Sequence, residues 1–159
     1  MLNGKKVLLI ITGGIAAYKS LELVRKLKEK GAEVIPVMTK AAENFVTPMS
    51  VSALAREKVY NKLFDLTDEA EMGHIELSRS SDLIVVVPAS ADFIAKTATG
   101  QANDLASTLI LATDTKVLMA PAMNVRMWEN PLTQKNIKIL HKNGIKSVSY
   151  THLTLPTKA

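Results

Sequence analysis

The segment that most constrains the fold is DLIVVVPAS, residues 82–90, in which every position from Leu83 to Ala89 is apolar. A strand with one face in water alternates apolar and polar residues, whereas a run without alternation is buried on both faces. Burial on both faces is typical of a central strand in a parallel sheet that carries helices on either side. The sequence therefore predicts an α/β domain built around this segment.

Strand-like and helix-like patterns alternate along the rest of the chain. KKVLLIIT, AEVIPVMT and KVLMAPAM predict three more strands, IKSV would open a further one, and apolar residues recur at helical spacing between them. Pro36 predicts an edge position or a bulge for the second strand, and Pro121 predicts an abrupt end of the strand that contains it. Asn130 and Pro131 fit the N-cap and the first position of a helix. This order predicts a single domain with a doubly wound parallel sheet.

Composition argues against several classes of function. The 159 residues are 47% hydrophobic and 22% charged, and no apolar run reaches the ~18 residues of a membrane helix. The net charge of +5 is scattered and aromatic residues make up 4%, which argues against nucleic-acid binding. The chain has no cysteine, which excludes disulfides and thiolate metal sites, and we expect no metal. The first strand is not followed by a signal-peptide cleavage site, so we expect a cytoplasmic protein without a membrane partner.

Residues 147–159 do not fit this pattern. VSYTHLTLPT, residues 148–157, back-translates without a misfit to GTC TCT TAT ACA CAT CTG ACG CTG CCG ACG, the end of a transposon adapter used in preparing sequencing libraries. We therefore expect residues 1–146 to form a C-terminally truncated domain and residues 147–159 to be a non-native read-through tail. The alternative is an ordinary β-rich C-terminal strand.

Small and polar residues follow several of the predicted strands, at the edge where a parallel sheet binds its ligands. TGGIAAYK has two glycines before a helix, which suits a ligand phosphate but also an ordinary tight turn. Ser90 and Asp92 lie where the next helix begins. They can contact a ligand, or they can simply cap the helix. A second polar cluster follows at Asn103, Asp104 and Ser107.

Two side chains are candidates for catalysis. His74 stands in EAEMGHIELS among acids and can serve as a base there, although a lone histidine is more often structural. Asn124 follows a predicted strand in PAMNVRMWENP, with two methionines and the single tryptophan of the chain. A methionine–tryptophan group is more often core than a binding site. An amide, however, both donates and accepts, and can hold a carboxylate or an enolate-like oxygen.

Taken together, GGIAAYK, GHIELS, PASADFIAKTATGQANDLASTLILA and PAMNVRMWENP resemble the flavin-dependent cysteine decarboxylases. The nearest likeness is to the phosphopantothenoylcysteine decarboxylase domain of bacterial coenzyme A biosynthesis, and it covers residues 1 to about 146. The resemblance implies a Rossmann-like (flavodoxin-like) flavoprotein that assembles as trimers with FMN between subunits. In bacteria this domain is usually the N-terminal half of a bifunctional protein, and the ligase half has no counterpart in this sequence.

The resemblance also implies roles for individual residues. His74 matches the catalytic histidine, and Asn124 matches the asparagine that holds the substrate carboxylate, with Met123 and Met127 beside it in the substrate site. The FMN contacts that it implies are Gly14, Ile15, Ala16, Thr39, Phe45, Ala89, Ser90, Ala91, Asp92 and Ala122.

The reaction that the resemblance implies converts phosphopantothenoylcysteine to phosphopantetheine. FMN oxidises the thiol-bearing carbon to a thioaldehyde, the carboxylate leaves as carbon dioxide, and reduced FMN returns the electrons to the enethiol. In the family, a cysteine on a flap beyond the PxMNxxMW helix donates the last proton, and this chain has none. We therefore expect incomplete turnover.

Three alternatives stay open. The chain can be a peptidyl-cysteine decarboxylase of the same flavoprotein group, or a non-catalytic flavin-binding regulatory subunit. It can also be a generic dinucleotide-binding domain, although VIPVMT ends in Thr39 and not in the acid expected to contact a ribose.

Overall fold

The computed structural model of the chain describes residues 1–63 and 70–152. The strands are β1 (Lys6–Ile11), β2 (Glu33–Met38), β3 (Leu83–Ala89), β4 (Val117–Met123), β5 (Lys146–Ser147) and β6 (Thr151–His152). The helices are α1 (Tyr18–Glu29), α2 (Pro48–Ala55), α3 (Ala70–Arg79), α4 (Ala91–Ala98), α5 (Leu105–Ala112), α6 (Val125–Glu129) and α7 (Pro131–Lys142), and 3₁₀ turns follow β1 at Ile15–Ala17 and β2 at Ala41–Asn44.

Five strands form one parallel sheet in the order β2-β1-β3-β4-β5, and β6 pairs with the far half of β4. The strand β3 therefore lies at the centre, which confirms the prediction from its unbroken apolar run. The strand β2 lies at the edge, which confirms the position predicted from Pro36, because an edge tolerates a residue without an N–H. The predicted doubly wound parallel sheet is confirmed.

Apolar side chains of each strand go alternately to the two faces of the sheet. In β1, Leu8 and Ile10 pack with the layer of α4, α5 and α7, while Leu9 and Ile11 pack with the layer of α1 and α2. All four are fully buried. Because helices cover both faces, a ligand has access to the sheet at the carboxyl ends of its strands.

The structure corrects one local prediction and contains one helix that was not predicted. The strand β4 does not end at Pro121 but continues to Met123, and Pro121 pairs with Ala89 just past a register shift between β3 and β4. Such an irregularity is a place where a residue without an N–H is tolerated. Residues 125–129 form α6, which no pattern predicted, because five residues are too few to display helical periodicity. The segment around His74, for which a helix and a loop were both open, is helical.

Residues 146–152 lie along the outer edge of β4. The Val148 N–H donates to the Met119 carbonyl at 2.9 Å, and β6 pairs with Ala122 and Met123. Main-chain hydrogen bonds of this kind are available to almost any extended sequence. The expected domain boundary after Lys146 and the foreign origin of the tail stay predictions, and residues 153–159 lie outside the described residues.

Candidate functional site

The carboxyl ends of β1, β2 and β3 enclose a cleft of about 380 Å³. Three residues predicted to contact FMN line it, namely Thr39, Ser90 and Asp92, and so does Asp104 of the second polar cluster. Gly13, one of the two glycines that suited a ligand phosphate or a tight turn, also lines it, and sequence reasoning missed the others, which are Thr12, Lys40, Ala41, Asn44, Phe93 and Lys96. The other predicted site residues lie outside this lining: Gly14, Ile15, Ala16, Phe45, Ala89, Ala91, Ala122, Met123, Asn124 and Met127.

Two buried threonines tie together the strand ends at this cleft. Thr12 Oγ1 donates to the Pro88 carbonyl at 2.5 Å and accepts from the Ser90 N–H at 3.0 Å, which joins the end of β1 to the end of β3. Thr39 Oγ1 accepts from the Ala42 N–H at 3.2 Å and so begins the 3₁₀ turn after β2. Both threonines are buried. Hydrogen bonds therefore fix the spacing of the strand ends before any ligand is bound.

The two glycines after β1 serve different purposes. A Cβ at Gly13 would lie 2.6 Å from the Cβ of Ala41, so only glycine lets this loop pass the turn after β2. A Cβ at Gly14 would meet nothing within 4 Å, and its φ of 161° is extended backbone that any residue adopts. Gly13 is therefore explained by packing, whereas Gly14 borders open space that a ligand can fill.

Substitutions at these glycines should separate packing from ligand contact. We expect Gly13→Ala to lower the free energy of unfolding by about 1–3 kcal/mol, because the added methyl group overpacks against Ala41. We expect Gly14→Ala to change it by less than about 0.5 kcal/mol, because the methyl group enters open space. Urea unfolding followed by circular dichroism measures both values, and equal losses in the two variants would contradict the assignment.

Large apolar side chains are exposed close to the same strand ends. Ile15, directly after the glycines, is 59% exposed, and Phe45, at the end of the turn after β2, is 46% exposed. Ala16, which follows Ile15 and was also predicted to contact FMN, is buried. Exposed apolar side chains beside a cleft suit a planar aromatic ligand or the surface of another subunit.

Both polar clusters contain helix caps, which were one of two alternatives for Ser90 and Asp92 and were not predicted for Asn103, Asp104 and Ser107. Ser90 Oγ accepts from the Phe93 N–H at 3.1 Å and begins α4. Asp104 Oδ1 accepts from the Ser107 N–H at 2.8 Å, in a reciprocal capping box that begins α5. Capping accounts for these residue types without a ligand. Ser90 and Asp104 are connected to a ligand only by their position, because both line the cleft.

Asn124 lies at the end of β4 and is the N-cap of α6. Its Oδ1 accepts from the Met127 N–H at 2.9 Å, which fixes the orientation of the carboxamide. The side chain is exposed, so its amide N–H groups are open to a ligand. With the acceptor oxygen occupied, Asn124 offers donors, which is the chemistry that a carboxylate needs. Beside it Met123 is buried, and Met127 is 45% exposed.

Trp128 and Tyr150 stack beside this strand end, with ring centroids 4.5 Å apart and ring planes 2° apart. The Tyr150 hydroxyl donates to the Met123 carbonyl at 2.6 Å. Burial raises the pKa of the Tyr150 hydroxyl, and the negative charge of Glu129 raises it further, so the group stays protonated and donates at neutral pH. Trp128 is partly buried and packs against the apolar core, as the core interpretation of the tryptophan expects.

His74 belongs to α3, and its side chain lies outside the described residues. The C-terminal end of this helix is tied to the loop before β4: Ser78 Oγ hydrogen-bonds Thr113 Oγ1, and Thr115 Oγ1 donates to the Ser78 carbonyl at 3.0 Å. Because the His74 side chain is not described, its catalytic role stays a prediction.

Within residues 1–63 and 70–152, no group of three or more acidic or histidine side chains is arranged to hold a metal ion. Over the same ranges, no helix combines the length and the apolar character needed to cross a bilayer.

The chain is similar to known flavoproteins in sequence. A family model described as Flavoprotein matches residues 1–157. The coenzyme A biosynthesis bifunctional protein CoaBC of Vibrio vulnificus strain YJ016 is 53% identical over 145 residues, which are 91% of this chain and 36% of that protein. The chain thus spans about a third of the length of the curated relatives that it matches.

Solved structures are similar in fold as well. The FMN-dependent cysteine decarboxylase SpaF has a TM-score of 0.86 at 28% identity, covering 93% of this chain and 85% of that one. A PPC decarboxylase mutant complexed with pantothenoylaminoethenethiol has a TM-score of 0.79 at 32% identity, covering 91% and 81%. The peptidyl-cysteine decarboxylase EpiD has a TM-score of 0.82 at 30% identity, covering 91% and 86%.

Proposed function

Because the chain belongs to the flavoprotein family, we propose that it is an FMN-dependent carboxy-lyase that decarboxylates phosphopantothenoylcysteine to phosphopantetheine in coenzyme A biosynthesis. The relatives named for coenzyme A biosynthesis and the PPC decarboxylase structure support this substrate. The strand-end cleft and the amide at the end of β4 support the proposal further, because they suit a phosphate-bearing cofactor and a carboxylate.

The residues at the strand ends fit FMN. The open space at Gly14 can admit the cofactor next to the β1 loop, and the exposed side chains of Ile15 and Phe45 suit the apolar ring system. The cleft lined by Thr39 and Lys96 suits its polar phosphate-bearing chain. When bound, FMN supplies the electron sink, taking two electrons from the substrate before carbon dioxide leaves and returning them afterwards.

The geometry of Asn124 is the observation that supports a carboxylate substrate. The Met127 N–H occupies Oδ1, so the exposed face of the carboxamide is a pair of N–H donors. One of these N–H groups can donate to a carboxylate oxygen, which helps to position the bond that must break. His74 is the base in this proposal, and the exposed Met127 forms the apolar side of the substrate site, whereas Met123 is buried in the core behind it.

A homotrimer in the cytoplasm, with FMN at the subunit boundary, is the assembly that we propose. Ile15 and Phe45 are too exposed for a cofactor site closed by one chain, and Tyr18 and Met49 add further exposed apolar surface at 55% and 81%. A second copy packed on these side chains would cover apolar area and close the cofactor site together.

The experiment that tests the function is a single-turnover assay. We expect the purified protein to be yellow, with a flavin absorption spectrum, and to release about one equivalent of carbon dioxide per bound flavin when oxygen, which would reoxidise the reduced flavin, is excluded. The enethiol should then accumulate, because the chain has no cysteine to deliver the last proton. Stopped-flow absorbance with phosphopantothenoylcysteine follows flavin and enethiol together.

The matched control is the full-length Vibrio vulnificus relative, which should turn over repeatedly under the same conditions. A colourless protein that takes up no FMN would refute the proposed function. Repeated turnover by this chain would refute only the claim of an incomplete cycle.

A second candidate function is decarboxylation of a peptide with a C-terminal cysteine. The similarity to the peptidyl-cysteine decarboxylase EpiD favours it, since the fold matches at a TM-score of 0.82. A cysteine-ended peptide and phosphopantothenoylcysteine, assayed side by side, distinguish the two by which one releases carbon dioxide.

A further inference from the structure

The cleft at the strand ends contains a half-buried cation, Lys96, whose charge bears on the choice of ligand. Lys96 lies on α4 and lines the cleft, and its side chain is 24% exposed, so the protein covers most of its surface. The other lysine of the lining, Lys40, is exposed. Lys96 is therefore the cation of this cleft that is best shielded from solvent.

The two carboxylates of the cleft do not neutralise Lys96 firmly. The ammonium nitrogen lies 3.6 Å from Asp92 Oδ2, but Asp92 is 79% exposed, and an i,i+4 pair of this kind is weak. Asp104 is engaged in its capping box, where Oδ1 accepts from the Ser107 N–H at 2.8 Å and from Ser107 Oγ at 2.5 Å. A stronger anion can therefore displace Asp92 from Lys96 at little cost.

The remaining lining favours a phosphate over a carboxylate as that anion. The Thr39 hydroxyl donates to the Ile11 carbonyl at 3.5 Å, a long and weak hydrogen bond that a stronger acceptor can replace. A hydroxyl donor and an ammonium on one wall match the several oxygens and the double charge of a phosphate monoester.

We propose that Lys96 is the phosphate-binding cation of this cleft and determines its preference for a phosphorylated ligand over the same ligand without phosphate. This inference rests on the proposed function, in which both the cofactor FMN and the substrate carry a phosphate monoester. Without a ligand, the Asp92 carboxylate contacts the Lys96 ammonium group, and the phosphate replaces this contact when it binds.

The test compares ligands that differ only in the phosphate. In the flavin arm, dissociation constants of FMN and riboflavin are measured by flavin fluorescence for the wild type, Lys96→Met and Lys96→Arg. Methionine keeps the apolar stem and removes the charge, whereas arginine keeps the charge. In the substrate arm, phosphopantothenoylcysteine and pantothenoylcysteine are compared on flavin-loaded protein. The exposed Lys135→Met variant controls for the loss of one positive charge.

We expect Lys96→Met to weaken FMN about 10–100-fold and riboflavin less than about threefold, as for loss of a charged hydrogen bond. Lys96→Arg should retain most of the preference, and added salt should reduce it in the wild type. A loss confined to the phosphorylated substrate would assign Lys96 to the substrate phosphate instead. Equal weakening of both members of each pair, or no weakening, would overturn the proposal. Wild-type protein that binds neither flavin would refute the proposed function itself.

Discussion

The Asn124→Asp variant should lose about 10²–10³-fold in the rate of carbon dioxide release while it remains folded. Aspartate is as good an N-cap as asparagine, so the bond from the Met127 N–H that begins α6 survives the change. The two amide donors, however, are replaced by a negatively charged oxygen that repels the substrate carboxylate. Loss of one preorganised donor already costs this much in other enzymes, and like-charge repulsion adds to it.

The chain contains a matched control for this substitution. Asn130 is the N-cap of α7, where its Oδ1 accepts from the Leu132 N–H at 2.8 Å. Asn130→Asp makes the same chemical change at a cap that the proposed function does not use, and should leave the rate within about twofold. Rates come from carbon dioxide release in a single turnover, and thermal unfolding verifies that both variants fold. If Asn124→Asp kept the wild-type rate, Asn124 would be a cap and nothing more.

The centre of this fold was predictable because burial on both faces leaves a simple record in the sequence. A strand such as β3 has no polar position, and β2, with Pro36 in its middle, lies at the edge. The strand end predicted from Pro121 was wrong because a proline is also tolerated next to a register irregularity. Such an irregularity involves two strands that are far apart in sequence, so a local pattern does not reveal it.

The site was predictable only in part, for a related reason. Ser90 and Asn124 could be found because polar residues directly after an apolar strand stand out. Thr12 could not be found, because its hydrogen bonds to Pro88 and Ser90 join residues that are 76 and 78 positions apart in the sequence. Lys96 has the spacing of an ordinary helical ion pair, and its position on the cleft wall follows from the packing of α4.

Capping also limits what a polar motif can reveal about function. Ser90, Asp104 and Asn124 all begin helices, so their residue types are explained whether or not a ligand is present. The cap on Asn124 nevertheless has a chemical consequence, because it uses the acceptor and leaves the donors. A structural role and a binding role are thus compatible in one side chain.

The His74→Asn variant should retain FMN and lose about 10²–10⁴-fold in carbon dioxide release, the usual contribution of a general base. Asparagine preserves a hydrogen-bonding side chain of similar reach but cannot take up a proton near neutral pH. The pH dependence of the rate between about pH 5 and 8 should therefore flatten in the variant as well. The measurements are flavin absorbance for cofactor content and single-turnover carbon dioxide release across that pH range.

His141→Asn is the control for this substitution, because His141 lies on α7 and its Nε2 hydrogen-bonds Ser147 Oγ at 2.8 Å, so no catalytic role is proposed for it. The control should keep the rate and the pH profile of the wild type. An unchanged rate in His74→Asn, with FMN still bound, would favour a non-catalytic flavin-binding protein. Loss of flavin together with activity would make His74 a cofactor contact. A loss of rate with flavin retained and a flattened pH profile is the combination that only a proton-transferring histidine explains.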